Sequence, residues 1–159
     1  ADPVYAFDCF PWRVEKARAW GATDAWTLDA GDPAARIAEL TEGRGVDVAF
    51  EAAWADQSIQ QAFDMARLGG RVVLIGIPGE DRFEARHSVA RRKGLTILMA
   101  RRMKHVYGRT IHLAAADPPA VDLESLVSHR LPLRETGRAF ELNANYVAGV
   151  HKVIVAVQS

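Results

Sequence analysis

The chain has a single cysteine among its 159 residues, Cys9, and no excess of charge of either sign. One thiol cannot form an internal disulfide, and it cannot build a cysteine zinc site within this chain. The formal net charge is zero, which argues against nucleic acid or a membrane surface as a partner bound by bulk charge. No apolar run is long enough to span a bilayer and none resembles a signal peptide, so we expect a cytoplasmic protein.

The sequence also lacks the glycine-rich turn G-x-G-x-x-G, on which dinucleotide-binding domains rest a pyrophosphate at a helix N-terminus. That turn belongs about twenty residues before the acid that binds the ribose. Only seven residues precede Asp8, the candidate for that acid. If the chain is such a domain, we expect its first strand, phosphate loop and first helix to lie outside this sequence. Four histidines follow no metal-ligand spacing and are interpreted as ordinary: His87, His112, His129 and His151.

What the chain does contain is a strand–helix–strand unit at its centre. Val46–Phe50 and Arg71–Ile75 are short and almost continuously apolar, as strands are when both of their faces are covered in a parallel sheet. Asp56–Leu68 lies between them and is predicted to be a helix that Gly69–Gly70 ends. Apolar residues at helical spacing would face the sheet: Ile59, Ala62, Phe63 and Ala66.

Strands and helices alternate through the rest of the chain. Further strands are predicted at 4–8, 25–28, 95–99 and 152–157. Further helices are predicted to begin at Pro11 and Pro33 and to occupy 88–93, 106–114 and 134–145. Two of these helices should turn apolar residues inward: Ile37 and Leu40 in one, and Ala139, Phe140 and Leu142 in the other. The pattern indicates an α/β fold with a doubly wound parallel sheet.

Ligands of open α/β sheets bind beyond the carboxyl ends of the strands, which directs attention to the residues found there. Asp8 ends the first strand and could accept hydrogen bonds from ribose hydroxyls, or it could cap the helix at Pro11. Arg13 could stack on an adenine or lie on the surface. Glu51 could orient a ligand or pair with a cation, and Lys152 could contact a phosphate or simply begin its strand.

Two further strand ends carry candidate residues. Gly76 would let a backbone approach a flat ring closely, although a strand-ending turn explains it equally. Arg101 and Arg102 follow another strand and could face the ligand or form a solvated surface together with Lys104 and His105.

Two stretches resemble the cofactor-domain signature of the medium-chain, zinc-dependent alcohol and polyol dehydrogenases: GRGVDVAFEAAW (43–54) and QAFDMARLGGRVVLIGIP (61–78). Three more are similar to the sorbitol (L-iditol) dehydrogenase branch: RKGLTILMARRMKHVY (92–107), VSHRLPLRETGRAFE (127–141) and HKVIV (151–155). The resemblance covers essentially the whole chain. It implies a two-domain enzyme that oxidises an alcohol with NAD, in which a catalytic zinc held by the N-terminal domain acts as a Lewis acid.

The resemblance also implies roles for individual residues. Asp8 would bind the ribose, Arg13 the adenine side, and Lys152 the pyrophosphate region. The cofactor cleft would be lined by Ala52, Ala53, Gly76, Ile77 and Pro78. The nicotinamide end would be flanked by Ala100, Arg101 and Arg102, with Arg102 reaching toward the substrate. Two residues depart from the family pattern: Trp54 stands where glycine is common, and Met103 stands where the sorbitol branch often has tyrosine.

On this basis we expect residues 1–120 to be a truncated NAD-binding Rossmann domain and residues 121–159 to be a return segment that packs on a catalytic domain. The zinc ligands would lie outside this chain, which alone should be inactive. We also expect a homo-oligomer, dimer or tetramer, formed through the Leu95–Met99 strand region.

Other readings of the sequence remain open. The chain could belong to a zinc-free quinone or enone reductase of the same superfamily, which would favour NADPH and which Asp8 disfavours. It could also be a non-enzymatic remnant kept for NAD binding or oligomerisation. A methyltransferase that uses S-adenosylmethionine is disfavoured by the Gly76-Ile77-Pro78 strand end and the HKVIV tail.

Overall fold

The computed structural model describes residues 3–53, 55–77, 79, 82–116 and 122–157. The strands of this described part are β1 (Tyr5–Asp8), β2 (Asp24–Thr27), β3 (Val46–Glu51), β4 (Ala66–Leu74), β5 (Thr96–Met99), β6 (Val127–Pro132) and β7 (Lys152–Ala156). The helices are α1 (Pro11–Ala19), α2 (Pro33–Leu40), α3 (Asp56–Met65), α4 (His87–Lys93), α5 (Tyr107–Ala114) and α6 (Thr136–Ala144). Short 3₁₀ turns occupy Leu28–Ala30, Glu124–Leu126 and Leu133–Glu135. The predicted alternation of strands and helices is therefore confirmed.

The described strands pair into three sheets, with the orders β1-β2, β3-β4-β5 and β6-β7. Within the described residues β3 pairs with β4 alone and β1 pairs with β2 alone. Each of the strands β1 and β3 therefore keeps one hydrogen-bonding edge open among the described residues.

The chain divides into two compact units. The first comprises the described residues of Ala1–Ala6, Phe10–Ala25 and His105–Ser159, and the second comprises those of Phe7–Cys9 and Trp26–Lys104. The predicted domain boundary after residue 120 falls outside the described residues and stays a prediction.

The second unit is built on the parallel sheet β3-β4-β5, whose register aligns Phe50 with Val73 and Val73 with Leu98. One face of this sheet packs against α3 and α4 and forms the core. Its buried members are Ala49, Ile59, Ala62, Phe63, Ala66, Val72 and Leu74. Of the predicted inward stripe, Ile59, Ala62 and Phe63 are confirmed on α3, whereas Ala66 is buried but belongs to β4.

The other face of β3 is open, and the expectation that both faces are covered is wrong. Successive side chains of a strand point to opposite faces, so Ala49 and Glu51 pack inward while Val48 and Phe50 point away. Phe50 is 68% exposed. All four residues of β5 are exposed as well.

Helix α3 ends at Met65, earlier than the sequence predicted, and Ala66–Gly70 belongs to β4 instead of to the helix. The ammonium of Lys93 explains the early end. Its Nζ donates to the backbone carbonyls of Phe63 (3.1 Å), Asp64 (2.6 Å) and Ala66 (2.8 Å). A cation that caps the last carbonyls stabilises the end of a helix.

In the first unit, α1 and the C-terminal part of the chain are joined by side-chain hydrogen bonds. Lys16 Nζ donates to the carbonyl of Ser125 over 2.7 Å, and Trp20 Nε1 donates to Ser125 Oγ over 2.7 Å. Val14 on α1 and Ala139 on α6 are buried. Strands β6 and β7 are parallel neighbours.

Two residues predicted to face inward are exposed: Leu40 by 41% and Phe140 by 71%. Leu40 is the last residue of α2, where the helix leaves the core. Phe140 follows the buried Ala139, and neighbouring residues of a helix lie about 100° apart, so Phe140 points away from the direction in which Ala139 is buried. Among the described helices, none has the length and apolar character that a membrane crossing requires.

Candidate functional site

The carboxyl ends of β3, β4 and β5 form one edge of the parallel sheet, and most of the predicted cofactor residues follow these ends directly. Backbone hydrogen bonds fix the segments that leave the strands. The amides of Ile75 and Gly76 donate to the carbonyl of Glu51 over 2.7 and 3.1 Å. The amide of Ala100 donates to the carbonyl of Leu74 over 2.8 Å. The structure therefore brings the ends of three strands side by side, as the sequence predicted.

The buried carboxylate of Glu51 holds the segment after β3 in place. Glu51 is only 4% exposed. Its Oε1 accepts a hydrogen bond from the amide of Ala53 (2.8 Å) and one from the hydroxyl of Ser58 (2.7 Å). Ser58 Oγ also accepts the amide of Ala55, at 3.3 Å, at the start of α3. These contacts fix the chain's own backbone, and both roles left open for Glu51, orienting a ligand or pairing with a cation, stay predictions. Sequence reasoning missed Ser58.

The segments beyond these strands are open to solvent. Ala52 and Ala53 are exposed, and Ile77 is 55% exposed. Pro78, another predicted cofactor residue, and Trp54, the departure from the family pattern, lie outside the described residues. A ligand can therefore reach this edge of the sheet at Ala52–Ala53 and Ile77.

The basic segment after β5 is exposed too. Arg101 Nε donates to the carbonyl of Met103 over 3.2 Å, which bends the segment back on itself. Ala100 and Arg102 are exposed to solvent. The role of Arg102 as a substrate contact stays a prediction.

Asp8 ends β1, as predicted, and is half-buried. The N-cap residue of α1 is Phe10, and Pro11 occupies the first turn of the helix. The position of Asp8 at a strand end is the one that a ribose-binding acid would take.

Arg13 lies on α1, where its guanidinium stacks on aromatic rings of the same unit. Its Cζ is 4.9 Å from the ring centroid of Phe10 and 5.5 Å from that of Tyr146. These two rings also stack on each other, 5.4 Å apart. Such cation–π contacts fix the direction of the guanidinium.

A cavity of ≈ 250 Å³ lies in the first unit, and we call it the basic cavity. It is lined by Arg13, Lys16, Leu126, His151 and Lys152. Arg13 and Lys152 were predicted as cofactor residues from distant parts of the sequence, and the fold brings them together. Lys16 and His151 were missed. The spacing of three residues between Arg13 and Lys16 on one helix face was the signal for the first.

His151 lines this cavity and directly precedes β7. Its backbone amide donates to Ser128 Oγ over 3.0 Å. Burial, together with the positive charges of Lys16 and Arg13, lowers the pKa of His151 below its ordinary value of 6.5. Because two neighbouring cations contribute to this shift, the electrostatic potential at His151 favours an anion.

A second cavity, of ≈ 200 Å³, lies in the second unit beside α2. The rings of Phe7 and Trp26 stack on its wall with centroids 5.3 Å apart, and Arg36 lies over Trp26. None of the predicted cofactor residues that the structure describes lines this cavity.

No metal centre can be built from the described residues, which contain no group of three or more His, Cys, Asp or Glu side chains able to hold an ion. The thiol of Cys9 is exposed. A catalytic zinc therefore does not fit the residues described here.

Comparison with known proteins finds relatives for most of the chain. Residues 1–116 match the sequence profile of a family described as zinc-binding dehydrogenase. L-threonine 3-dehydrogenase of Bacillus licheniformis is 28% identical over 144 residues, which cover 89% of this chain and 41% of that protein. Sorbitol dehydrogenase of Bacillus subtilis is 28% identical over 155 residues, which cover 98% of this chain and 43% of that protein.

Among solved structures, alcohol dehydrogenase TADH from Thermus sp. ATN1 has a TM-score of 0.88 and 29% identity. The match covers 99% of this chain and 45% of that one. The α/β fold with parallel sheets is thus the Rossmann-type fold of the cofactor domain in this group of enzymes. The chain spans less than half the length of the relatives it matches.

Proposed function

We propose, since this chain belongs to the zinc-binding dehydrogenase family, that it is the dinucleotide-binding part of an enzyme that moves a hydride from an alcohol or polyol to NAD. The observation that carries the proposal is the common edge where β3, β4 and β5 end. Small residues at this edge, Ala52, Ala53, Gly76 and Ala100, leave room for a flat ring close to the backbone.

Each candidate residue has a role that its chemistry suits. Ala52–Ala53 and Gly76–Pro78 form the wall against the nicotinamide, and Ala100–Arg102 flank that end, with Arg102 directed to the substrate. Asp8 accepts hydrogen bonds from ribose hydroxyls and repels the additional phosphate of NADP. Arg13 and Lys152 serve the adenine side and the phosphates, which is supported by their positions in the basic cavity.

The catalytic metal belongs, in this proposal, to a part of the protein outside this sequence. Zinc held there would supply a Lewis acid for the oxidation of the alcohol. Because the described residues do not fit a metal, this chain's own contribution is to bind and orient the dinucleotide. We therefore propose that the chain alone does not catalyse the reaction.

The open edges of the sheets suggest what the chain lacks. Unpaired strand edges recruit further strands, so we propose that β3 accepts a strand from a segment outside this sequence. On the other side of the sheet, β5 is an exposed edge strand with Ile97, Leu98 and Met99 at 41%, 47% and 70% exposure. We propose that a homo-oligomer, dimer or tetramer, forms through this strand region.

Calorimetric titration of this chain with NAD⁺ and NADP⁺ tests the proposal. We expect weak binding with a preference for NAD⁺ that Asp8→Ala reduces. Lys152→Met should weaken NAD⁺ binding by about tenfold, since a hydrogen bond to a charged group contributes about 1.5 kcal/mol or more. Arg109→Met, on the exposed α5, is the matched control and should bind as the parent does. A preference for NADP⁺ would favour the reductase reading.

The substrate is tested in a longer protein that includes the zinc-binding part. L-threonine and sorbitol are the first alcohols to assay, because the relatives are named for them. Activity that depends on both zinc and NAD⁺ supports the proposal. Inactivity of a zinc-loaded, NAD⁺-binding protein toward a panel of alcohols and polyols contradicts it.

A further inference from the structure

We propose that His151 is an anion-binding residue of the basic cavity that takes up a proton when a phosphate group enters, so that binding at this site strengthens as the pH falls. The ligand is a group with two negative charges, such as the diphosphate of a dinucleotide. The assignment of that diphosphate rests on the proposed function. The cavity and its charges do not depend on it.

The cations of the cavity are held in place before any ligand arrives. Lys16 Nζ is anchored to the carbonyl of Ser125 at 2.7 Å. The guanidinium of Arg13 is stacked over Phe10 and Tyr146. A site whose charged groups are already ordered loses less conformational entropy on binding. Lys16 and Arg13 therefore form a fixed positive wall beside His151.

The elements around His151 contribute further charges. On β7 the next residue is Lys152, which also lines the cavity. On β6, Ser128 Oγ accepts the backbone amide of His151 and lies 3.0 Å from Nδ1 of His129. The hydroxyl of Ser128 thus contacts both the backbone of His151 and the imidazole of His129.

The charged residues on the neighbouring segments are paired or exposed. Arg130 on β6 pairs with Glu124 at 2.6 Å, and Glu135 in the 3₁₀ turn before α6 pairs with Arg138 at 3.3 Å. Arg138 and Glu141 on α6 are exposed. No carboxylate is among the described residues that line the cavity. The described lining is therefore basic, with Arg13, Lys16 and Lys152 around His151.

The neighbouring cations act on the imidazole together with its burial. Burial, Lys16 and Arg13 lower the pKa of His151, so the ring is mostly neutral near pH 7. A doubly negative group in the same cavity has the opposite effect and raises that pKa. A ligand that raises the pKa of a residue binds more tightly when that residue is protonated. Once the residue is fully protonated, the affinity has increased by about tenfold for each unit by which the ligand raises the pKa.

Sulfate is the first probe, because it carries two negative charges and does not titrate between pH 5 and 8. The ring signals of His151 are followed by NMR in this chain, with sulfate or with sodium chloride at equal ionic strength, and are assigned with His151→Gln. We expect sulfate to raise the pKa of His151 beyond the effect of chloride. The exposed His112 serves as the internal control and should respond to ionic strength alone.

ADP-ribose and NAD⁺ are the second probes, since their diphosphates stay fully ionised over the same range. Titration in two buffers with different heats of protonation measures the protons taken up. We expect uptake near pH 6.5 and affinity that rises by about threefold to tenfold from pH 8 to pH 6. His151→Gln should abolish both effects, and His112→Gln should leave them unchanged.

The outcomes separate this inference from the proposed function. Sulfate that raises the pKa of His151, in a chain that binds no NAD⁺, upholds the anion site and contradicts the dinucleotide proposal. NAD⁺ binding without proton uptake, or uptake that persists in His151→Gln, overturns the inference and leaves the dinucleotide proposal intact. A sulfate effect no larger than that of chloride also overturns it.

Discussion

The hydroxyl of Ser58 donates to the buried carboxylate of Glu51 over 2.7 Å. The same carboxylate oxygen accepts the amide of Ala53, and the carbonyl of Glu51 accepts the amides of Ile75 and Gly76. One residue thus fixes the segments that follow two adjacent strands, together with the start of α3. These are the segments to which we assign the nicotinamide wall.

Replacing Glu51 with alanine should loosen that wall. The change leaves the amide of Ala53 without its acceptor, whereas the hydroxyl of Ser58 keeps the carbonyl of Ala55 at 2.7 Å. A lost hydrogen bond to a buried charged group costs about 1.5–3 kcal/mol. We expect a fall of about that size in the free energy of unfolding, measured with urea, and weaker NAD⁺ binding. Glu51→Gln keeps an acceptor oxygen at the same reach.

The glutamine variant is the discriminating control. If Glu51 acts by position, Glu51→Gln should recover most of the NAD⁺ affinity that Glu51→Ala loses. Equal affinity of the alanine variant and the parent would contradict the positioning role, even if the alanine variant were less stable.

Replacing Lys93 with methionine should destabilise the junction between α3 and β4. Three backbone carbonyls lose their shared donor while the aliphatic stem keeps its packing. We expect a loss of about 1–3 kcal/mol in the free energy of unfolding. Amide hydrogen exchange should quicken in the last turn of α3 before it does in β6 or β7. The control is Arg91→Met, at an exposed position of the same helix, and similar losses in both variants would contradict the capping role.

Lys93 also explains why the sequence placed the end of α3 wrongly. Glycines at 69 and 70 are a local stop signal, but the donor that terminates the helix lies 27 to 30 residues further along the chain. Such a contact follows from packing and leaves no local pattern. The hydrophobic stripe of α3 and the strand cores have a local pattern, and they were predicted correctly.

The residues of the candidate site could likewise be predicted only where a local sequence pattern marks them. Residues at strand ends could be predicted, since parallel strands end at a common edge. The basic cavity could be predicted only in part, because it joins α1 with the start of β7. His151 has no ligand spacing in the sequence, and its significance depends on Lys16 and Arg13, which are more than 130 positions away. The exposure of Phe50 was missed because a strand's apolar content does not reveal whether both of its faces are covered.

The contribution of Asp47 to the stability of the fold should depend on pH and on salt, because the carboxylate is paired with two arginines. Arg44 and Arg67 hold the pKa of this carboxyl well below its usual value, through contacts of 2.7 and 2.5 Å. A lowered carboxyl pKa stabilises the fold at pH values above the unfolded value of 3.8, and this stability is lost as the pH falls through the folded value.

The variant Asp47→Asn should therefore lower the Tm at pH 7, and the difference from the parent should shrink below about pH 4. Because the carboxylate is exposed, about 1 M NaCl should remove most of the difference. Thermal unfolding at low and high salt measures it, with Asp29→Asn as a matched surface control. A difference that survives both acid and salt would mean that packing, and not charge, stabilises this junction.

His151 should make the fold sensitive to mild acid. Its pKa is lower in the folded chain than in the unfolded one, so the unfolded chain binds more protons below the ordinary value of 6.5. Stability should therefore fall as the pH drops from about 7 through 6.5 and toward the folded value, and His151→Gln should flatten that decline, with His112→Gln as the control. Urea unfolding at intervals across this mildly acidic range measures it. If the basic cavity binds anions as proposed, sulfate should flatten the decline in the parent and leave His151→Gln unchanged. A parent curve that sulfate shifts uniformly at every pH would instead indicate a general salt effect, with no role for His151.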